Sequence, residues 1–239
     1  MIKLITAPER REARVGDSLS SHYLFSFADY YDPDNVQFGS LRVFNDVVIG
    51  PGGSIPAHPQ ADMEVLTIVL DGEIVHLDNI GNEVTLAAGQ VQRITAGTGI
   101  THSARNMTDK DAHVYQLWLL PNKRDLAPSY EQMDLGFLDK TGELFPLATG
   151  QKVLEDLVFL NSNSTVYYCN LGSGDEVDFR TFKIRKTLIY VTGGSLLIDN
   201  MEVNIHDQVR LEEQEVIRIH ATSKASFILV DVPALEVNF

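Results

Sequence analysis

The sequence predicts an all-β chain built as two tandem β-barrel (jelly-roll) domains with a short linking helix or loop between them. Three observations carry that prediction. Short runs of β-branched and aliphatic residues recur between Gly, Pro, Asn and Asp turn signals, and no stretch shows a helical period. The pattern of the first half returns in the second, as a repeat should. With 239 residues and 44% apolar content, the chain is long enough to bury two cores.

Residues 1–20 are polar and show no clear period, and Arg10-Arg11-Glu12-Ala13-Arg14 reads as a short surface element. An aromatic cluster follows from His22 to Tyr31 and closes at the turn signal Asp32-Pro33. His22 reads there as a hydrogen-bonded structural histidine. Leu41–Ile49 is rich in β-branched residues and stops at Gly50-Pro51-Gly52-Gly53, which marks a strand ending in a tight turn. Glu64–Leu70 is a nearly continuous apolar strand, as in a barrel wall buried on both faces, and ends at Asp71-Gly72. Glu73–Asp78, a hairpin signal at Asn79-Ile80-Gly81-Asn82, Glu83–Ala88, Val91–Thr95 and Val114–Leu120 complete the first set. The expected domains are a first barrel over 1–120, a linker with one helical turn over 121–152, and a second barrel over 153–239.

In the second barrel, Leu171–Gly174 parallels Gly50–Gly53. Thr187–Ile198 parallels Val65–Leu77, His206–Arg210 parallels Ala88–Gln92, and Phe227–Val232 parallels the strand ending at Leu120. The loop after Gly174 carries no histidine, and His206 and His220 stand alone, so both read as turn or surface residues and this barrel as structural.

Composition narrows the function classes. Nineteen Lys and Arg against 33 Asp and Glu give a net charge of −14, which disfavours a polyanion and argues against direct nucleic-acid binding. No run of eighteen apolar residues is present, so no membrane span is expected. A single cysteine, Cys169, sits in an apolar run, reads as a core residue and fits a reducing cytoplasm. Nothing in the composition fixes an oligomeric state.

The stretch Gly53–Asn106 holds two histidine clusters, Pro56-Ala57-His58-Pro59-Gln60 and Thr101-His102-Ser103-Ala104-Arg105-Asn106. Two His-bearing strands laid against each other can build a metal site in the mouth of a barrel. Strand parity puts His58 and Gln60 on one face, and likewise His102, Ala104 and Asn106. Without a bulge, Glu64 shares the face of His58. His76 and His113 alternate with apolar neighbours and read as satisfied or surface histidines, and Trp118 reads as core.

The segments His22–Pro33, Leu41–Asp46, Pro56–Pro59, Asp62–Glu64, Leu70–Glu73, His76–Asp78, Gly81-Asn82 and Thr95–Ser103 resemble the pirin family. The resemblance implies a bicupin whose N-terminal barrel holds a metal, commonly iron, through the histidines of an H-P-H element and a later H-S-E. Carried over by position, those ligand sites are His58, Gln60, His102 and Ala104, so two agree and two depart. The general cupin pattern H-x-H-x-x-x-E places a glutamate at Glu64, and its second element H-x-x-x-N falls on His102 and Asn106. Imidazole is a good ligand for iron, copper, zinc and nickel, whereas Gln60 offers a weak carbonyl oxygen and Ala104 offers nothing.

Two functions then compete. In one, His58 and His102 hold Fe(II) or another divalent transition metal. Gln60 assists, and Glu64 ligates or takes a substrate proton, which gives a dioxygenase of the quercetin 2,3-dioxygenase type acting on flavonol-like compounds. In the other, a metal-poor pocket of low occupancy binds a small aromatic ligand or a protein partner, with regulation as its output. The absent side chain at position 104 favours the second.

Overall fold

The computed structural model describes residues 1–151 and 156–234. The chain divides into two compact units. The first barrel comprises residues 11–135 and 158–162; the second comprises, of the described residues, 1–10, 136–151, 156–157 and 163–234. The division differs from the expected boundaries in two ways. The amino-terminal strand belongs to the second barrel, and the segment expected as a linker carries two strands, Ser129–Asp134 and Phe145–Thr149, around a single 3-10 turn at Phe137–Asp139. The expected start of the second barrel at Val153 lies outside the described residues.

The first barrel packs a large sheet on a small one. The large sheet runs Ser129–Asp134, Gln90–Thr95, Glu64–Asp71, Ala112–Leu119, Leu41–Ile49, Leu19–Tyr23, Arg11–Val15. The small sheet runs Ser54–Gln60, Ile100–Arg105, Glu73–Asp78, Glu83–Ala87. Val47, Ile49, Val69 and Val114 from the large sheet meet Ile74 and Leu86 from the small one in a shared core. Two strands at the amino end, Arg11–Val15 at the sheet edge and Leu19–Tyr23 beside it, escaped the sequence reading. Arg11–Val15 is largely exposed, so backbone pairing holds it and its side chains show no alternation.

The second barrel repeats the plan. Gln208–Glu212, Arg185–Gly193, Ala225–Pro233 and Thr165–Leu171 lie side by side in one sheet, and Glu176–Arg180, Val216–Ala221, Ser195–Ile198 and Met201–Asn204 in the other. Its core joins both, with Ile189 and Leu229 packed among Leu196, Ile198 and Ile217. Gly72 and Gly194 occupy matching turns, both with a φ of +69°. A Cβ at either would meet the backbone of the facing loop, 2.5 Å from Asp111 O in one and 2.1 Å from Lys224 O in the other. The repeat is therefore offset by 122 residues at this turn.

One of the sequence parallels is out by a residue. The Gly89 amide donates to Val69 O, and the His206 amide donates to Val191 O, so His206 stands where Gly89 does. Both adopt the left-handed conformation, with φ of 87° and 69°. A one-residue slip exchanges the two faces of a strand, and with the correction Gln92 matches Val209 rather than Arg210.

Candidate functional site

Ser54–Gln60 forms the edge of the small sheet and lies antiparallel to Ile100–Arg105, with His58 opposite His102 and Gln60 opposite Ile100. Residues opposed across a ladder share a face, so His58, Gln60 and His102 stand together as the parity argument expects. The two imidazole rings are 4.5 Å apart between centroids. The pairing shifts between His102 and Ala104, where Ile55 rather than Pro56 opposes Ala104. The extra residue is a β-bulge at Pro56-Ala57, and an edge strand is where proline and a bulge are both tolerated. The bulge turns His58 so that its Nδ1 lies 2.9 Å from Pro56 O. A carbonyl only accepts, so Nδ1 carries the proton and Nε2 is the nitrogen with a free lone pair.

His102 is 5% exposed. Burial, and then the nearby His58 and His76 rings, push its pKa down from 6.5 to about 4 against the opposing pull of Asp78. The ring is neutral at pH 7, the form in which imidazole accepts a ligand. Its Nε2 is buried with no hydrogen-bond partner among the described residues.

The structure corrects the reading of Glu64. Between Gln60 and Glu64 the chain turns at Asp62, whose φ is 46°, and leaves the small sheet for the large one. Parity does not carry across that turn. Glu64 is fully buried, and its carboxylate accepts the Asn161 amide at 3.0 Å. Burial pushes its pKa up, and hydrogen bonds from Asn161 and Thr95 together with the Arg93 charge oppose that rise. Glu64 thus anchors the 158–162 strap to the first barrel, and this is the role the structure gives it in place of ligand or catalytic base. Arg93 supports the same strap through Phe159 O at 3.0 Å. Asn106 is structural as well: its side chain donates to Ile49 O and Lys110 O and accepts from Thr108.

Sequence reasoning missed the polar interior behind the histidines. His76 is 1% exposed and lies opposite Ala104. Its ring is 5.9 Å from that of His102 and stacks on Tyr130 at 5.1 Å. His76 is satisfied, as expected, with Nε2 3.0 Å from Asp78 Oδ2. Asp78 in turn accepts from Ile80 N, Asn82 N and Asn82 Nδ2, so its oxygens are committed to the hairpin. Burial raises the Asp78 pKa, and the bonds from His76 and Asn82 more than offset it, leaving the group below the usual carboxylate range. Thr67 lies opposite both Gln92 and Gln116. These three side chains, His76, His102 and Ala104 line an interior cavity with room for about one water molecule. The signal in the sequence was three polar residues inside otherwise apolar strands. Outside, a groove of about 300 Å³ runs past Pro59, Gln60, Asn79 and Thr101.

The remaining histidines stay apart from this pair. His22 lies in the large sheet opposite Asp46 and Glu12, and His113 Nε2 is 2.7 Å from Asp46 Oδ1. His206 sits in a turn 3.2 Å from the Tyr190 hydroxyl, and His220 lies 3.1 Å from the exposed Glu176. Trp118 packs edge-on against Phe27 and beside Val65 and Ile94. Cys169 is buried, and burial pushes its thiol up to about 12, as expected of an inert core residue. Among the described residues, no helix is long and apolar enough to cross a membrane.

The donor set does not fit a four-ligand metal centre. Two imidazoles are in place, position 104 is a methyl group, and the carboxylates of Glu64 and Asp78 are bonded elsewhere. Among the described residues, no three His, Cys, Asp or Glu side chains come together to hold a metal ion.

Known proteins resemble the chain along most of its length. Residues 6–119 match the family model Pirin, and residues 150–232 match the model described as quercetinase C-terminal cupin domain. A protein named quercetin 2,3-dioxygenase from Escherichia coli K12 is 34% identical over 234 residues, covering 98% of this chain and 99% of its own. A pirin-like protein of Caulobacter vibrioides is 34% identical over 213 residues, covering 89% of this chain and 92% of its own. The crystal structure of the bacterial pirin YhhW from Escherichia coli, solved in complex with nickel(II), superposes with a TM-score of 0.92 at 33% identity over 98% of this chain and 100% of that one.

Proposed function

The chain belongs to the pirin family, and from that premise we propose that its N-terminal barrel is a binding site with attenuated metal affinity, whose output is recognition of a small molecule or a protein partner rather than metal-dependent turnover. The observation that carries this reading is the pair His58 and His102 facing each other beside Ala104, with the carboxylate opposite His102, that of Asp78, taken up by His76 and Asn82. An open oxygenase site needs a third protein ligand, usually a carboxylate, and even a lost supporting partner costs about 10–100-fold in metal affinity. The His102 ring, kept neutral by burial, remains able to accept a hydrogen bond from a ligand hydroxyl. A shallow groove of about 300 Å³ passes beside Gln60, at the lower end of small-ligand pocket volumes, roughly 300–1,000 Å³. The single buried Cys169 fits a reducing, cytoplasmic setting.

A second reading, a metal-dependent dioxygenase, draws on the name of the Escherichia coli relative, on the nickel(II) bound to YhhW and on the two histidines kept here. Oxygen uptake separates the two. Purified untagged protein, loaded anaerobically with Fe(II) and then given quercetin and air, is expected to show no protein-dependent oxygen consumption. Turnover that disappears in His58→Ala would establish the dioxygenase.

A further inference from the structure

We propose that the edge strand Arg11–Val15 pairs with the same strand of a second copy of this chain, antiparallel and centred on Ala13, so that the large sheets of two first barrels join across a two-fold axis. The inference is independent of what the mouth of the barrel binds.

An unpaired sheet edge leads to it. Arg11–Val15 ends the large sheet and pairs on one side only, with Leu19–Tyr23. Along its other side, no group among the described residues bonds the outward amides and carbonyls. Its side chains leave that side open, since Arg11, Glu12, Arg14 and Val15 are all exposed, Val15 at 62%. Such a row of donors and acceptors is a template for another strand. The other three edges of the first barrel are guarded. Ser54–Gln60 carries two prolines and the bulge. In Glu83–Ala87, Gln132 Nε2 donates to Thr85 O and Gln90 Oε1 accepts from the Ala87 amide. Ser129–Asp134 is flanked by the 158–162 strap, whose Phe159 amide donates to Glu131.

The order of charges names the occupant. Laid antiparallel on a copy of itself, with Ala13 opposite Ala13, the strand sets Glu12 opposite Arg14 twice over and Arg11 opposite Val15. Glu12 and Arg14 already share a face, with Arg14 Nε 2.7 Å from Glu12 Oε1. Two copies therefore close a ring of four charges that alternate in sign, each with one opposite neighbour along its strand and one across the ladder. The Arg11 stem lies over the exposed Val15 of the other copy. Charged side chains ordinarily protect an edge; here their order is complementary to itself, and a two-fold interface makes each complementary pair twice. Edges of this molecule do not share that property in general. Glu176–Arg180, the edge of the second barrel's small sheet, would set Asp178 directly against Asp178 in the same arrangement.

Sedimentation equilibrium of the full chain over a wide range of concentrations reads the association. A reversible monomer–dimer equilibrium is the expected result. Glu12→Arg and Arg14→Glu each place like charges opposite one another at both pairs, and each is expected to weaken dimerisation at least about tenfold. The two reversals move the net charge in opposite directions, so a loss common to both is not an effect of overall repulsion. Glu12→Arg combined with Arg14→Glu restores both pairs in the reversed sense and is expected to return the dissociation constant to within about threefold of wild type. The substituted positions are exposed, and urea denaturation is expected to find all three variants folded like the wild type. A chain that stays monomeric at every concentration would overturn the proposal and leave the edge to a partner of different sequence or to solvent. A dimer that survives either single reversal, or that the double exchange fails to restore, would overturn it equally.

Discussion

Where the first barrel sets His58 opposite His102, the second sets Phe179 opposite Ile217. The correspondence extends through the interior. By register, Ala104 matches Ile219 and His76 matches Ile198, while Thr67, Gln92 and Gln116 match Ile189, Val209 and Leu229. All seven residues on the second side belong to one apolar core. The shared strand plan shows that the fold does not require a polar interior, since the same barrel closes on aliphatic side chains. The histidines, the glutamines and the bulge at Pro56-Ala57 are departures from that apolar solution. A buried polar group left without a partner costs about 1–3 kcal/mol, so such departures are expected where function holds them in place.

The contrast can be broken or sharpened by experiment, starting with the largest effect. Phe179→Ala is expected to lower the unfolding free energy by about 3–5 kcal/mol, as for a buried aromatic. The matching His58→Ala, half-exposed at the mouth, is expected to cost no more than about 1 kcal/mol. Urea denaturation of both variants reads the difference, and equal losses would mean that the first barrel depends on His58 for packing.

Acid should distinguish the barrels next. The folded pKa of His102, about 4, lies below its unfolded value of 6.5, so the unfolded chain binds the extra proton between those values. The contribution of the neutral ring is fully present above pH 6.5 and is lost as the pH falls toward 4, amounting to roughly 3 kcal/mol. A wild-type stability curve that falls over this window more steeply than that of His102→Gln is the expected result, and superimposable curves would contradict it.

Restoring the family ligands tests the altered site. Gln60→His with Ala104→Glu is expected to raise Ni²⁺ or Zn²⁺ affinity by at least about 100-fold in calorimetric titration, since two direct ligands outweigh the ~10–100-fold of a supporting contact. Wild-type protein that already binds as tightly as the double variant would show that other groups complete the site. The smallest effect is expected for Glu64→Gln, which keeps an acceptor for the Asn161 amide and should leave metal affinity unchanged. A clear drop would return Glu64 to the ligand set.

Much of this was legible in the sequence, for identifiable reasons. Strands buried on one or both faces, such as Leu41–Ile49 and Glu64–Asp71, declare themselves by composition, and the pairing of His58 with His102 follows from parity on two neighbouring strands. Ala104 and Gln60 stood out because a missing donor is visible in the residue itself. What could not be read depended on distant partners. Glu64 is claimed by Asn161, far along the chain, and no local pattern announces that bond. The strands Arg11–Val15, at the sheet edge, and Leu19–Tyr23, beside it, are held by backbone pairing and leave little periodicity. Gln92 and Gln116 carry no local mark of burial, and only the register places them opposite Thr67 inside the barrel.

Elemental analysis of untagged protein, before and after anaerobic Fe(II) addition and desalting, tests the central claim most directly. The account predicts metal far below one equivalent per chain in both samples. About one equivalent retained after desalting, and lost in His58→Ala, would contradict it and establish the first barrel as a working metal centre.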